Sequence, residues 1–273
     1  IREMLNHGKS IVDARNGGAS GCVETGAFGK EACWLTGYFN LPKVLELTLN
    51  NGFDKRTNRL IGLETGYAYD YKSFEDLMAA FKLQVNYFVD IKIMGNNLIE
   101  NTFSNWLPVP FLSLLVEDCI SNGKDYNCGG ARYNTSYIQG VGLGSITDML
   151  TSIRYNIYDN KKFGWEELTE ALDSDYCGYE QIQYEMIYNT PKYGNDDDYA
   201  DQQAVAVFEI YYDAVNGRPT SRGGIHRINM LPTTSHVYFG SVIGATPDGR
   251  KAHKPLSEGI SPSQGVDKNG PTS

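Results

Sequence analysis

Apolar positions fall into runs of two periods along the chain. Asn40 stands before Pro42, Val44, Leu45, Leu47 and Leu49, and the run ends at Asn50-Asn51-Gly52, which predicts a short helix opened by an Asn cap with proline in its first turn. Ser73 and Asp76 have capping-box spacing. Phe74, Leu77, Phe81, Phe88 and Ile91 then recur at near-helical intervals, so a long helix is expected to run toward Gly95. Asp196, Asp197 and Asp198 open a third pattern through Val207, Phe208, Tyr211 and Val215, closed by Asn216-Gly217; acid at the start and glycine at the stop both suit the helix dipole. The short runs Phe111 to Val116 and His236 to Ile243 read as strands, the second followed by a Thr246-Pro247-Asp248-Gly249 turn. Helices alternating with strands give an α/β class, with open sheet and closed barrel both allowed. No repeat, low-complexity tract or linker divides the chain.

Composition narrows the function classes. In 273 residues, 41% are hydrophobic and the net charge is -9, so a large core fits and no basic patch offers itself to nucleic acid or an anionic membrane. A small-molecule substrate is the expectation. No apolar run reaches the roughly 20 residues that span a bilayer, and no secretory leader opens the chain, so a cytoplasmic location is expected. The five cysteines are scattered with no CxxC pair, and they are read mostly as reduced core thiols. Asn134-Thr135-Ser136 has glycosylation spacing that would matter only in a secreted protein. The start at Ile1 and the stop at Pro271-Thr272-Ser273 both read as cut ends.

The densest candidate for chemistry is the stretch from Gly17 to Gly26, where glycines flank Cys22 and Glu24. In an extended segment residues two apart face the same side, so a thiol and a carboxyl can share one pocket. Spacing alone favours a plainer reading, a structural cysteine beside a surface glutamate. Several commoner motifs fail on the residues: Glu24 and Glu31 occupy the positions where a P-loop needs Gly and Ser/Thr, Ser20 is not in a G-x-S-x-G elbow, and Gly140 to Ser145 misses the last glycine of a dinucleotide fingerprint. Arg132, within a glycine-rich stretch, is either a carboxylate clamp or a neighbour of closely packed backbone, with packing preferred. The aspartates near 196 lack calcium-loop order, and His7, His226, His236 and His253 lack metal-ligand spacing.

The string GASGCVETGAFGKEACWLTGYFNLPKVLELTLNNG resembles the cysteine loop of the glycyl radical enzymes, in their dehydratase and lyase branch. The likeness continues through GGARYNTSYIQGVGLGSITD, TPKYGNDDDYAD, INMLPTTSHVYFG and PLSEGISP, and so covers nearly the whole chain. The resemblance implies that the 273 residues are part of a closed ten-stranded α/β barrel of the pyruvate formate-lyase type, holding the cysteine loop. The N-terminal half and a C-terminal glycine-radical domain would lie outside it. Cys22 is then the thiyl-radical residue and Glu24 its acid/base partner, with Tyr38 and Thr233 contacting substrate.

The same resemblance implies a glycyl radical on a C-terminal glycine absent from these residues. A separate activating enzyme, using S-adenosylmethionine and an iron-sulfur cluster, installs it. A homodimer is implied for the full-length protein, and an anaerobic setting. Pyruvate formate-lyase itself uses two adjacent cysteines, whereas Val23 follows Cys22 here; this counts against acyl transfer and favours dehydration of a small hydroxylated substrate such as 4-hydroxyproline. Radical C-C, C-N or C-S cleavage is the alternative, and a noncatalytic barrel fragment that borrows a radical domain is a third. Cys33, Trp34 and Ser235 depart from the family strings and are the places where substrate choice would change.

Overall fold

The computed structural model describes residues 1–21 and 23–270. In chain order the elements are helices α1 (Arg2–Asn6) and α2 (Ile11–Arg15), strands β1 (Gly18–Ser20), β2 (Glu24–Gly26) and β3 (Glu31–Asn40), helix α3 (Leu41–Leu49), strands β4 (Phe53–Asp54) and β5 (Arg59–Leu60), and helices α4 (Phe74–Trp106) and α5 (Pro110–Leu115). Then come β6 (Tyr133–Val141), α6 (Leu143–Ile153) with a π-helical turn to Asp159, α7 (Trp165–Asp173), α8 (Glu180–Tyr188), α9 (Asp198–Val215), β7 (Ile225–Asn229) and α10 (Ser235–Ser241). The class is α/β, as expected. Among the described residues the strands form one three-stranded sheet, in the order β3-β6-β7, and two hairpins, β1-β2 and β4-β5.

Two compact units are present. The first comprises Ile1–Gly37, Val89–Gln139 and Val215–Asn229. In it β6 and β7 pair in parallel, with Gln139 opposite Asn229. A parallel pair needs a long crossover, which residues 142–224 supply. Buried Arg222 braces this unit: its guanidinium stacks 4.3 Å over the Trp34 ring, donates to the Ser136 hydroxyl at 3.0 Å and lies 3.5 Å from the buried Glu100 carboxylate.

The second unit comprises Tyr38–Phe88, Gly140–Ala214 and Met230–Ser273, and among its fully buried side chains are Leu41, Leu45, Leu77, Phe81, Ile146, Leu150 and Tyr211. Phe39 and Tyr211 stack here with centroids 5.2 Å apart. Helix α6 is buried along its whole length. Its Gly142 and Gly144 permit that, since a Cβ at Gly144 would lie 2.4 Å from the Ser261 carbonyl oxygen.

The local start signals hold. The Asn40 side chain accepts from Lys43 N at 3.2 Å with Pro42 in the first turn, and Ser73 and Asp76 exchange side-chain-to-backbone bonds of 3.1 and 3.0 Å. Helix α4 runs past Gly95 to Trp106, because one helical glycine costs only about 1 kcal/mol and buried Asn96 and Glu100 anchor the next turns.

Both predicted strands at 111–116 and 236–243 are helical instead. In α5, Pro110 presets the first turn and the Ser113 hydroxyl donates to the Asp125 carboxylate at 2.8 Å while lying 3.0 Å from Val109 O, fixing a helix whose Phe111 is 76% exposed. In α10, Gly240 lets the Lys254 carbonyl approach to within 2.1 Å of where a Cβ would sit. That close approach overrides the β preference of the side chains around it.

Candidate functional site

The glycine-rich stretch folds as the antiparallel hairpin β1-β2, with Ser20 paired to Glu24, Ala19 to Thr25 and Gly18 to Gly26. Cys22 lies outside the described residues; Gly21 before it has φ of +59°, a left-handed conformation that suits glycine. Three bonds brace the far side of the hairpin. The Tyr137 hydroxyl donates to Thr25 O at 3.2 Å, and the Glu31 carboxylate accepts from Ala27 N at 2.9 Å and from the Thr135 hydroxyl at 2.6 Å. Lys9 closes on Glu31 at 3.0 Å, with both side chains almost fully buried.

Glu24 sits half-buried on β2, its Oε1 accepting from Gln139 Nε2 and from Asn229 Nδ2, each at 3.1 Å. Its Oε2 accepts from Val23 N at 3.2 Å. Because Gln139 and Asn229 are register partners on parallel strands, their side chains leave the sheet on the same side and converge on one oxygen. Gln139 is 1% exposed and its own Oε1 has no partner. Flipping the amide would set that oxygen against the carboxylate, so the orientation is forced and about 1–3 kcal/mol of desolvation is left uncompensated. Neither amide was singled out from the sequence; the available signal was a glutamine inside the otherwise apolar run Tyr137 to Val141.

In the second unit the structure brings Tyr38 and Thr233 together, their hydroxyls 3.0 Å apart. Thr233 has φ of +54°, a rare conformation for a β-branched residue. Glu24 belongs to the first unit, Tyr38 and Thr233 to the second.

The departures from the family strings resolve individually. Trp34 is committed to Arg222 and to an edge-on contact with Phe103. Burial pushes the Cys33 thiol up to about 12, with the charge of Glu31 adding to the effect. The Ser235 hydroxyl donates to Pro232 O at 2.7 Å. Arg132 is taken up by its own chain, bidentate to Asp118 at 2.8 and 2.9 Å with Asp13 and Glu117 close by, which removes the clamp reading. Its glycine neighbours do pack backbone: a Cβ at Gly130 would lie 2.1 Å from Lys124 O.

The expectation that most cysteines are core thiols is corrected, since Cys128 and Cys177 are exposed; neither lies in an apolar run that would draw it inward. Among the described residues no group of three or more His, Cys, Asp or Glu side chains is placed to hold a metal ion, and no helix is long and apolar enough to cross a membrane.

The family model described as pyruvate formate lyase-like matches residues 1–240, and the chain belongs to that family. It is 57% identical over 272 residues to the trans-4-hydroxy-L-proline dehydratase of Clostridioides difficile, covering 100% of this chain and 34% of that protein. The crystal structure of that organism's hydroxyproline dehydratase with trans-4-hydroxy-L-proline bound superposes with a TM-score of 0.97 over 99% of this chain and 34% of the other. The B12-independent glycerol dehydratase of Clostridium butyricum, glycerol-bound, gives 0.95 at 41% identity, over 99% of this chain and 34% of that one. The chain spans about a third of the length of the curated relatives it matches.

Proposed function

We propose that these residues are part of the catalytic barrel of a glycyl radical dehydratase, and that the complete enzyme removes water from a small hydroxylated substrate, trans-4-hydroxy-L-proline being the best candidate. The observation that carries this reading is the Glu24 carboxylate, fixed by two amides two residues after Cys22, in a chain 57% identical to a hydroxyproline dehydratase. Sheet β3-β6-β7 is then one arc of a closed ten-stranded barrel whose other strands come from outside these residues. The radical glycine, on a segment beyond this chain and installed by an S-adenosylmethionine and iron-sulfur activating enzyme, supplies a one-electron oxidant.

The remaining chemistry belongs to this chain. Cys22 takes a hydrogen atom from the carbon beside the hydroxyl-bearing one, Glu24 moves the proton that lets the hydroxyl leave as water, and Cys22 returns a hydrogen atom to the product. Tyr38 and Thr233 present paired hydroxyls that orient the substrate, and barrel walls keep bulk water from the radical. The full-length enzyme is proposed to be a cytoplasmic homodimer of anaerobic cells.

The test is the complete enzyme with its activating enzyme. It should convert trans-4-hydroxy-L-proline to pyrroline-5-carboxylate, a loss of one water. Cys22→Ala and Glu24→Gln should each abolish this while the glycyl radical signal still forms. Full loading with no pyrroline product would move the reading to the C-C, C-N or C-S lyases.

A further inference from the structure

We infer that helix α4 is covered on its outer side by a further helical layer of the same polypeptide, drawn from outside these residues and approaching most closely at Gly95. The inference rests on the proposal that these residues are part of a larger catalytic barrel. Between Val89 and Trp106 the helix has two faces. Val89, Ile93, Asn96 and Glu100 are buried at helical spacing, and this face is bonded to the sheet: Asn96 Nδ2 donates to the Thr36 hydroxyl on β3 at 2.9 Å, and the Ser136 hydroxyl on β6 donates to Glu100. Ile91, Met94 and Leu98 follow the opposite face and are exposed, Met94 by 69% and Leu98 by 68%. A helix whose outer side meets water is polar there, whereas one that is apolar on both sides is buried on both.

Gly95 points the same way. It lies on the outer face between Ile91 and Leu98, where glycine weakens a helix relative to alanine. Apart from its own helix, no atom lies within 4 Å of where its Cβ would be, so nothing among the described residues calls for a glycine. A missing side chain in an apolar stripe lets a second helix come close.

Two observations favour the protein's own chain over a second copy as the cover. The chain spans 34% of the dehydratase it matches at 57% identity, so on the proposed reading most of the polypeptide has still to be packed around it. The apolar surface also continues past the helix. Ile99 and Phe103 line a cleft of about 750 Å³ together with Trp34 and Leu35 of β3, which is an edge strand of its sheet among the described residues. The cover therefore reaches the edge where the next barrel strand has to pair. Covalent continuation of the chain supplies both at once, and an isologous patch between two copies supplies only one. Exposed Phe111, Leu114 and Leu115 on α5 add to the surface to be covered.

The test uses the complete protein before activation and needs no turnover. Brief hydroxyl-radical footprinting of the unmodified protein, read by peptide mass spectrometry, oxidises exposed methionine and tryptophan fastest. Met94 and Trp106 are 69% and 79% exposed in these residues by themselves. In the complete protein both are expected to oxidise at least about tenfold more slowly than in urea, at every protein concentration. Rates near those in urea overturn the inference. Protection that is lost on dilution to the monomer assigns the face to a second copy and overturns it as well. Gly95→Ala gives an independent sign: alanine raises the urea midpoint if the helix is open there and lowers it under a closely packed neighbour. An equal or raised midpoint overturns the close approach at Gly95. A protein that protects Met94 and Trp106 but does not dehydrate hydroxyproline keeps the cover and removes the proposed reaction, so the two failures are told apart.

Discussion

Tyr38 and Thr233 join hydroxyls across 3.0 Å although Thr233 is held at φ of +54°, where a β-branched side chain crowds its own backbone. Such strain persists only when the surroundings impose it, and it concentrates at working sites. Asparagine tolerates this conformation. Thr233→Asn is therefore expected to raise the stability of the chain by about 1 kcal/mol in urea unfolding while lowering turnover of the complete enzyme at least about tenfold. A variant that is both no more stable and fully active would show that neither the strain nor the hydroxyl has a purpose here.

Lys9 and Glu31 form an ion pair with side chains 3% and 1% exposed, and the same carboxylate holds Ala27 N directly after β2. Lys9→Met strands a buried charge and should cost about 3–5 kcal/mol. Adding Glu31→Gln removes the charge while keeping an acceptor for Ala27, so the double variant should recover much of the loss. Because Ala27 ends the hairpin that carries Glu24, Lys9→Met should also speed amide exchange at Thr25 and Ala27. Equal stability of single and double variants would contradict this account.

What could be read from the sequence was what is decided locally. The caps at Asn40 and at Ser73-Asp76 need only residues three apart, and they are present as expected. The helix at 235–241 depends on the Lys254 backbone approaching Gly240, and no window around Val237 contains that information. Gln139 and Asn229 meet only because a parallel crossover sets their register. Cys22 and Glu24 were suggested by family strings, whereas the amides on Glu24 needed the sheet.

Asp148 on α6 is buried, with Oδ1 accepting from Tyr193 N at 2.9 Å. Burial pushes its carboxyl up to about 7, against the opposing pull of Lys192. Between the unfolded value near 3.8 and about 7 the folded state therefore holds more proton than the unfolded state, so stability declines as pH rises through this window. Below it, the protonated side chain sits in place at no charge cost. Asp148→Asn imitates the protonated form and should flatten the urea midpoint between pH 5 and 8, exceeding wild type at the upper end. A midpoint profile parallel to wild type would show that Asp148 is not the group responsible.

Cys33 stands one residue before the Trp34 ring that Arg222 covers, and burial with nearby Glu31 raises its thiol to about 12. Alkylation proceeds through the thiolate, so at pH 8 only about one Cys33 in 10⁴ is in reactive form. Cys119 is buried and likewise raised by burial, while Cys128 and Cys177 are exposed. Brief iodoacetamide treatment of the folded chain, read by peptide mass spectrometry, should label Cys177 and Cys128 and spare Cys33 and Cys119. Urea should bring all four to similar rates. Early labelling of Cys33 in the folded chain would mean that β3 opens on the timescale of the reaction, and the bracing assigned to Arg222 and Glu31 would then have to be abandoned.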